Sequence, residues 1–366
     1  MPRLNKHIKE CVFYLYGKDP KTGERRGPLG SGVLVERDPP DVNALLFSSP
    51  RISPMTHVYA VTSYHAAVTK GASIIRINSI ADGDFAVEQF IEREPHEWSF
   101  IPGGDDIAIT DVTDDIRFES GKRFDSFNTL SESSFVTADF IKEAEITIGE
   151  DGFMLGLFTR NPGYVWIEPA ARFGNLSQLA QLHNPIVQGH GIAHPSHVFD
   201  IHSRPGFSGS PVFIYRTPAA DLSSFSKHPG RDHKWMLSTK NNVFLGLLGI
   251  HSGQFMDDLT ASKNDEAYGQ MPIYDGDSIT VPSSMTIVAP AWAITKALDH
   301  PNLKEQREMR EERSRKARKQ ARHGVRPEVA EAEAKAEPET DNPSHKEDFT
   351  SLLGRAARAK PKGGRT

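Results

Sequence analysis

The chain of 366 residues carries 43 Lys and Arg, 48 Asp and Glu, and a single cysteine, and 37% of its residues are hydrophobic. This composition is typical of a soluble protein with one large or two medium cores. No apolar run approaches the roughly 20 residues that a membrane-spanning helix needs. Cys11 has no partner for an internal disulfide, and the N-terminus lacks the apolar stretch of a signal peptide, so we expect a cytoplasmic protein stabilised by packing.

The charge is distributed unevenly along the chain. Residues 301–366 hold 17 basic and 12 acidic side chains, which leaves 26 basic and 36 acidic side chains for residues 1–300. The last segment has few aromatic or β-branched residues and does not bury enough apolar surface to fold independently. We therefore predict a body that ends near Asp299 and a charged, helical or disordered tail over 300–366.

Short apolar runs rich in Val, Ile, Phe and Tyr fill the body and predict β-strands. They lie at 11–17, 31–36, 57–63, 73–79, 106–112, 146–158, 211–215, 243–250 and 285–290. One helix is predicted over 290–299, with Pro290 in its first turn. The pattern indicates an all-β body of two barrels or sandwiches, with a divide between Asp115 and Glu145 that we place at 125/126.

Three segments carry residues suited to nucleophilic catalysis. They present His65 after a strand in VTSYHAA, Asp106 at the start of the strand in DDIAI, and Ser208 in the glycine-rich turn GFSGSPVF. Serine attacks well only when a neighbouring base takes its proton, and the base works best when a buried carboxylate orients it. Gly206 and Gly209 permit a tight turn in which the N–H groups of Gly206 and Ser208 point together at an oxyanion.

These motifs, with SGVLV before the histidine and LLGIHSG after the serine, resemble the chymotrypsin-like serine peptidases. The similarity is to the disulfide-free bacterial branch that includes glutamyl endopeptidases and HtrA-type proteases. It implies a double β-barrel, with His65 and Asp106 in the first barrel (1–125), and Ser208 and the terminal helix in the second (126–299). It also implies that the active site lies in the cleft between the barrels.

The resemblance further implies a primary substrate pocket. His251 in GIHSG matches the pocket histidine of glutamyl endopeptidases, with Ser252 beside it. His202 stands six positions before the serine, where trypsin-like specificity needs an acid. These three residues favour a preference for Glu or Gln before the cut and disfavour Lys or Arg.

The sequence departs from the family pattern in two places. Phe207 and Ser210 stand where Asn or Asp and a Gly are commonest around the serine. A loop-like insertion of 27 residues, Arg216 to Asn242, replaces a short hairpin, and it is predicted to cover the cleft or to meet another subunit.

Rival residues stand beside each candidate. His57 opens the same strand as His65 and is interpreted as a surface or edge residue; Asp105 is the fallback for Asp106; and Ser210 is the rival of Ser208.

Two other classes of site are disfavoured. His190, His194, His197 and His202 suggest a metal site, but they lack the spacing of known ligand motifs, so no metal and no cofactor is expected. An α/β-hydrolase would need the order Ser, acid, His and a helix after the serine.

The tail contains two helix-prone segments. Residues 303–324 are basic but lack aromatic residues to stack bases, so nucleic-acid binding is not expected. Residues 344–358 begin with a capping box and have one apolar face, which favours docking to a partner or to the body.

The sequence as a whole predicts a serine endopeptidase that acts on peptide or protein substrates without a membrane, with a tail that hydrolysis does not require. The alternatives are a catalytically silent double-barrel binding module and a protease held latent until a partner or the tail releases it.

Overall fold

A computed structural model describes residues 4, 6–37, 56–81, 85–118, 129–163, 166–217, 225–227, 235–237, 244–260 and 278–322. It divides the chain into two compact units, Met1–Glu312 and Arg313–Thr366. The segment 344–358, the divide at 125/126 and most of the insertion 216–242 lie outside the described residues.

The first half of the chain forms a seven-stranded sheet. Its strands are β1 (Val12–Lys18), β2 (Arg25–Arg37), β3 (His57–Thr62), β4 (Ile74–Ala81), β5 (Phe85–Glu92), β6 (Ala108–Asp111) and β7 (Leu130–Ser131). Six of them pair antiparallel in the order β5-β4-β1-β2-β3-β6, and β7 pairs parallel with β2. Strand β3 leads directly to His65, and Asp106 lies just before β6, so adjacent strands bring these two residues to the same end of the sheet.

The second half forms a closed antiparallel barrel of six strands. Its members and the short strands inserted among them are β8 (Asp151–Gly156), β9 (Ala170–Gln178), β10 (Ile186–Val187), β11 (Ala193–His194), β12 (His197–Asp200), β13 (Pro211–Arg216), β14 (Phe225–Lys227), β15 (Trp235–Leu237), β16 (Phe244–Thr260) and β17 (Ser278–Pro290). The barrel runs β12-β17-β16-β13-β8-β9 and closes through the pairing of β9 with β12; β10 pairs with β11 and β14 with β15 as separate two-stranded sheets. Ser208 lies just before β13.

Helices are short except at the C-terminal end. They are α1 (Lys6–Glu10), a π-helix (His65–Thr69), α2 (Thr113–Phe118), α3 (Ala138–Glu143), α4 (Ala291–Leu298) and α5 (Pro301–Arg322), with 3₁₀ turns at Pro95–Glu97 and Glu132–Ser134. Among the described residues, no helix has both the length and the apolar character needed to cross a membrane.

The all-β prediction is confirmed. A closed six-stranded barrel beside a second sheet, followed by a C-terminal helix, is consistent with the chymotrypsin-like double barrel. The chain passes from the first sheet to the barrel between Ser131, which pairs with Glu36, and Phe135, which bridges to Leu247. One apolar cluster includes Val33 of the sheet and Leu155 and Leu247 of the barrel, so the two halves share buried surface.

Two details of the sequence analysis are corrected. Residues 146–150 are not part of a strand, because the chain turns at Gly149 (φ 91°) and β8 begins only at Asp151. His57 is neither on the surface nor on an edge: it is 1% exposed, and its strand β3 lies between β2 and β6.

The start of α5 belongs to the body, which therefore extends to Glu312 rather than to Asp299. Leu303 is buried in the shared core. The Arg310 guanidinium donates to Asp111 Oδ2 at 2.9 Å and to Asp114 Oδ2 at 2.9 Å. The sequence did not predict these contacts, because a helix rich in Arg and Glu has too few apolar residues to show which of its faces is buried.

Candidate active site

The structure brings His65, Asp106 and Ser208 into one hydrogen-bonded chain. His65 Nε2 lies 2.8 Å from Ser208 Oγ, and His65 Nδ1 lies 2.6 Å from Asp106 Oδ2. Asp106 is fully buried, whereas Ser208 is partly exposed. The arrangement pairs an accessible hydroxyl with a base whose far nitrogen is held by a carboxylate, which is the geometry that activates a serine nucleophile.

Besides the bond to His65 Nδ1, three hydrogen bonds hold Asp106, two at its carboxylate and one at its main chain. Its Oδ1 accepts the His65 backbone N–H at 2.8 Å, and its Oδ2 also accepts the Ser252 hydroxyl at 2.7 Å. The backbone N–H of Asp106 donates to Gln188 Oε1 at 2.6 Å. The first two bonds fix the orientation of the carboxylate toward His65, and the third fixes the main chain that carries it.

Ser208 lies in two successive tight turns. Phe207 N–H donates to Arg204 O at 3.1 Å, and Ser210 N–H donates to Phe207 O at 2.9 Å. The third residue of each turn is a glycine with positive φ, 100° at Gly206 and 81° at Gly209. A positive φ at that place is the requirement of a type II turn, which explains the spacing of the two glycines in the sequence.

The predicted oxyanion donors are available in this loop. Within the described part of the chain, the backbone N–H groups of Gly206 and Ser208 donate to no other group, while those of Phe207, Gly209 and Ser210 are all bonded. The loop is thus fixed by its other amides and leaves these two N–H groups for a ligand.

Ser31 fixes the same loop from the first sheet. Its hydroxyl donates to Gly206 O at 2.8 Å and accepts the Leu157 N–H at 2.9 Å. Its own backbone N–H donates to Ser208 O at 2.8 Å. Because Ser31 is fully buried, these bonds are protected from water.

His251 lies beside the nucleophile with an unpaired ring. Its backbone carbonyl accepts the Gly209 N–H at 2.9 Å, yet neither of its ring nitrogens finds a partner among the described residues. The side chain is 4% exposed. Burial, followed by the nearby charge of His65, lowers the pKa of His251 to about 3, so the ring is neutral at pH 7 with one donor and one acceptor nitrogen.

The other two predicted pocket residues differ from His251. The Ser252 hydroxyl is occupied by Asp106 and by the Gly189 N–H at 3.0 Å, so it supports the carboxylate rather than facing a substrate. His202 is exposed, and none of the described contacts brings it to His251.

The rivals of the predicted residues take other roles. Asp105 Oδ1 accepts from Gln188 Nε2 at 3.0 Å and does not contact His65. The Ser210 side chain is fully buried, and its hydroxyl does not meet the His65 ring.

The four histidines of the suspected metal site do not converge. His190 and His194 stack with ring centroids 5.9 Å apart, and His197 packs against Trp292 at 5.2 Å. Across the described ranges, no group of three or more His, Cys, Asp or Glu side chains is arranged to hold a metal ion.

Sequence reasoning missed Ser31, Gln188 and Gly189. Ser31 stands inside the quoted motif SGVLV, where its two flanking glycines mark a close approach of the backbone. Gln188 and Gly189 lie in a polar stretch, QGHG, without any periodic signal. Gln188 is identified only by its contact with Asp106, 82 residues earlier, and Gly189 only by its bond to Ser252.

No protein-family model matches this sequence. No curated protein matches it either. Solved structures are similar to this chain, and three of them each share 14% sequence identity with it. One is the crystal structure of Deg5, at a TM-score of 0.33 over 57% of this chain and 75% of that chain. Another is the Rv3671c protease from M. tuberculosis in its active form, at a TM-score of 0.37 over 81% and 84%. A third is the drosophila Grass clip serine protease of the Toll pathway, at a TM-score of 0.37 over 81% and 72%.

Proposed function

We propose that this protein is a serine endopeptidase that hydrolyses peptide bonds through an acyl-enzyme on Ser208. The observation that carries the proposal is the unbroken chain from Ser208 Oγ through the His65 ring to the buried Asp106 carboxylate. A silent binding module has no need to hold a serine hydroxyl 2.8 Å from a histidine base.

In the acylation step, Ser208 Oγ attacks the carbonyl carbon of the substrate while His65 Nε2 takes the hydroxyl proton. Asp106 stabilises the imidazolium through Nδ1. The carbonyl oxygen becomes an oxyanion that accepts hydrogen bonds from the Gly206 and Ser208 N–H groups. His65 then gives its proton to the leaving amine, and the C–N bond breaks to leave an ester on Ser208.

Deacylation repeats the same steps with water. His65 takes a proton from the water molecule as its oxygen attacks the ester carbonyl, and the second oxyanion occupies the same two donors. The proton returns to Ser208 Oγ as the C–O bond breaks, which releases the acid product and restores the serine.

The finer part of the proposal is a preference for Glu or Gln before the cut. It is supported by the neutral, buried and unpaired ring of His251, whose main chain is bonded to the turn that carries Ser208. The N–H of the His251 ring is a buried donor without a partner in the part of the chain that the structure describes. A substrate side chain that has no polar oxygen leaves this N–H unpaired and shielded from water, so its binding is less favourable.

Labelling with a fluorophosphonate probe tests the reaction class. Wild type is expected to react at Ser208 and to cleave a mixed peptide library, whereas Ser208→Ala does neither and folds normally. Asp106→Asn should reduce kcat by about 10⁴-fold. A folded wild-type protein that neither reacts with the probe nor cleaves peptides contradicts the proposal and favours the silent module; activity that appears only after the chain is shortened to 1–312 favours the latent protease.

His251→Phe tests the preference, because it keeps a ring of similar size and removes both nitrogens. Wild type should cleave after Glu and Gln in preference to Leu, and His251→Phe should lose that preference while it still cleaves after Leu. Equal cleavage after Ala, Val, Leu and Glu by wild type would exclude a pocket that recognises an oxygen atom.

The partner, location and tail predictions remain proposals. We propose a cytoplasmic enzyme whose partners are its peptide substrates, and a docking role for residues 344–358. Residues 323–366 lie outside the described residues.

A further inference from the structure

Gln188 is a buried glutamine whose whole side-chain amide is used at the Asp106 loop. It is 2% exposed and lies on the hairpin between β10 and β11, in the half of the chain that carries Ser208. Its Oε1 accepts the Asp106 N–H at 2.6 Å. Its Nε2 donates to Asp105 Oδ1 at 3.0 Å and to Ser196 Oγ at 3.0 Å. A buried and fully bonded amide of this kind fixes the groups that it joins.

The next residue reaches the same carboxylate from another direction. Gly189 N–H donates to Ser252 Oγ at 3.0 Å, and Ser252 Oγ donates to Asp106 Oδ2 at 2.7 Å. A Cβ atom added to Gly189 would lie 2.7 Å from His65 Nδ1 and 2.0 Å from Ser252 O. The Gly189 backbone therefore covers the edge of the ring at which His65 meets Asp106, and only glycine fits there.

The Asp106 loop, residues 103–107, is held at its carboxylate by His65 and Ser252 and at the Gly104 carbonyl by His190 Nε2 at 2.9 Å, and Gln188 adds the bond to the Asp106 main chain. Two residues of this loop, Gly103 and Gly104, carry no side chains, and Gly103 adopts a φ of 67°. The strand β6 begins only at Ala108. The His65 and Ser252 bonds orient the carboxylate itself, and the Gln188 amide fixes the main chain that carries it, from the opposite half of the fold.

We propose that Gln188 is a positioning residue for the catalytic carboxylate: it holds the Asp106 main chain so that the carboxylate meets His65 Nδ1 and stabilises the imidazolium. The proposal rests on the proposed roles of His65, Asp106 and Ser208. Gln188 lies in the same half of the fold as Ser208, whereas the His65 and Asp106 pair that it aligns lies in the other half.

The main variant is Gln188→Met, which keeps the length of the side chain and removes its hydrogen bonds. Gln89→Met is the matched control, because Gln89 is also buried and its Nε2 donates to a main-chain oxygen, that of Asp115. We expect Gln188→Met to lower kcat by about 10- to 100-fold with little change in KM, since small misplacements of reacting groups have effects of this size. Gln89→Met should leave both parameters unchanged.

Two readouts separate positioning from general loss of structure. A less well aligned Asp106 stabilises the imidazolium less, so the acid limb of the kcat/KM profile should move to lower pH in Gln188→Met. The far-downfield NMR signal of the proton between His65 Nδ1 and Asp106 should weaken or shift upfield. Wild-type kcat per titrated active site together with an unchanged NMR signal would overturn the proposal.

An exchange of partners covers the case in which Gln188→Met does not fold. Gln188→Glu keeps the acceptor for the Asp106 N–H but sets a carboxylate against Asp105, and it should lower kcat. Adding Asp105→Asn restores a donor and acceptor pair, so the double variant should recover most of the loss; no recovery would overturn the proposal. If wild type cleaves no peptide, the proposed function fails, and the NMR signal in the same variants still decides whether Gln188 positions Asp106.

Discussion

Ser31 fixes the loop that carries the proposed oxyanion donors, Gly206 and Ser208, through one buried hydroxyl. Ser31→Ala leaves Gly206 O and Leu157 N–H without their partner, which costs about 1–3 kcal/mol of stability. We expect kcat to fall as well, by up to about 100-fold, because the Gly206 peptide then loses its fixed orientation and a misplaced oxyanion donor has an effect of that order. Steady-state kinetics on the folded variant measures the effect.

Thr113→Val is the matched control for that change. Thr113 is also fully buried, and its hydroxyl accepts from Val58 N and donates to Val58 O, far from the serine. It should lower stability by a similar amount with kcat unchanged. Equal kcat values for both variants would show that Ser31 is structural only.

The neutral ring of His251 leads to a pH-dependent choice between Glu and Gln. Burial lowers the pKa of this ring to about 3, and a bound carboxylate raises it again, because opposite charges favour each other at short range. A Gln side chain has no such effect. The ratio of kcat/KM for matched Glu and Gln peptides should therefore rise as the pH falls from 8 to 5.

Measuring a ratio cancels the titration of the catalytic groups, which is common to both peptides. The His251→Phe variant controls for the protonation of the Glu side chain itself, and its ratio should rise less steeply. A flat ratio in wild type would show that His251 does not meet the substrate side chain.

At the scale of elements, α5 joins β3 and β6 at the strand ends that lie away from His65 and Asp106. Arg310 meets Asp111 at the end of β6 and His57 Nδ1, at 3.1 Å, at the start of β3. Burial, with a nearby Asp111 carboxylate that adds to it, raises the pKa of Tyr59 on β3 to about 12, and the Tyr59 hydroxyl accepts from Arg307 at 3.1 Å. Helix α5 thus stabilises the sheet at the His57 end of β3 and the Asp111 end of β6, away from Ser208.

We expect Arg310→Ala to destabilise the body by about 1–3 kcal/mol, because it leaves the largely buried Asp111 carboxylate without its charged partner. Thermal unfolding of Arg310→Ala should show a lower Tm, and the exposed Arg313 supplies the matched control, since Arg313→Ala should leave Tm unchanged.

The contacts of the start of α5 also predict that residues 1–312 retain the Tm and activity of the full chain, whereas residues 1–300 do not retain the Tm. Equal Tm values for the two shortened chains would contradict the assignment of α5 to the body.

Eight of the described strands were not predicted from the sequence, and β9 and β12 matter most among them because they belong to the barrel; the others are β5, β7, β10, β11, β14 and β15. In β9 the residues are mostly half-buried, and polar residues are mixed irregularly with apolar and small ones, AARFGNLSQ, so no alternation marks the strand. β12 has only four residues, HVFD, and is too short for a periodic signal. Both are strands because they close the barrel between β8 and β17, and such pairing is a property of the assembled sheet.

For the whole molecule, buried neutral histidines make stability depend on pH. Burial lowers the pKa of His197 from its ordinary value of 6.5 to about 3, and its Nδ1 accepts the Ala180 N–H at 3.1 Å. Below pH 6.5 the His197 ring binds a proton in the unfolded chain but stays neutral in the folded state. This contribution is therefore fully present above pH 6.5 and is lost, at about 1.4 kcal/mol per pH unit, as the pH falls toward 3.

His197→Asn isolates the effect, since the asparagine oxygen can accept the same N–H but does not titrate. Urea unfolding between pH 7 and pH 4 should show that the free energy of unfolding of wild type falls more steeply than that of the variant, by about 1.4 kcal/mol per pH unit. Parallel curves for the two proteins would mean that the His197 ring is protonated in the folded state.

The sequence by itself determined the all-β class, just over half of the strands, the terminal helix and the three residues that meet in the candidate active site. The class, the strands and the helix are local features, marked by apolar runs of strand length and by helical spacing. The three residues span up to 143 positions, and they could be predicted because their motifs, in this order, resemble those of the chymotrypsin-like serine peptidases. The tertiary structure decided between neighbours that are chemically alike, such as Asp106 and Asp105, because only the register of β3 against β6 sets which carboxylate faces His65. It also decided the roles of Ser252, Gln188 and the start of α5, whose contacts span 82 to 199 positions of the chain. No local pattern encodes such contacts, since they form only when two folded halves pack together.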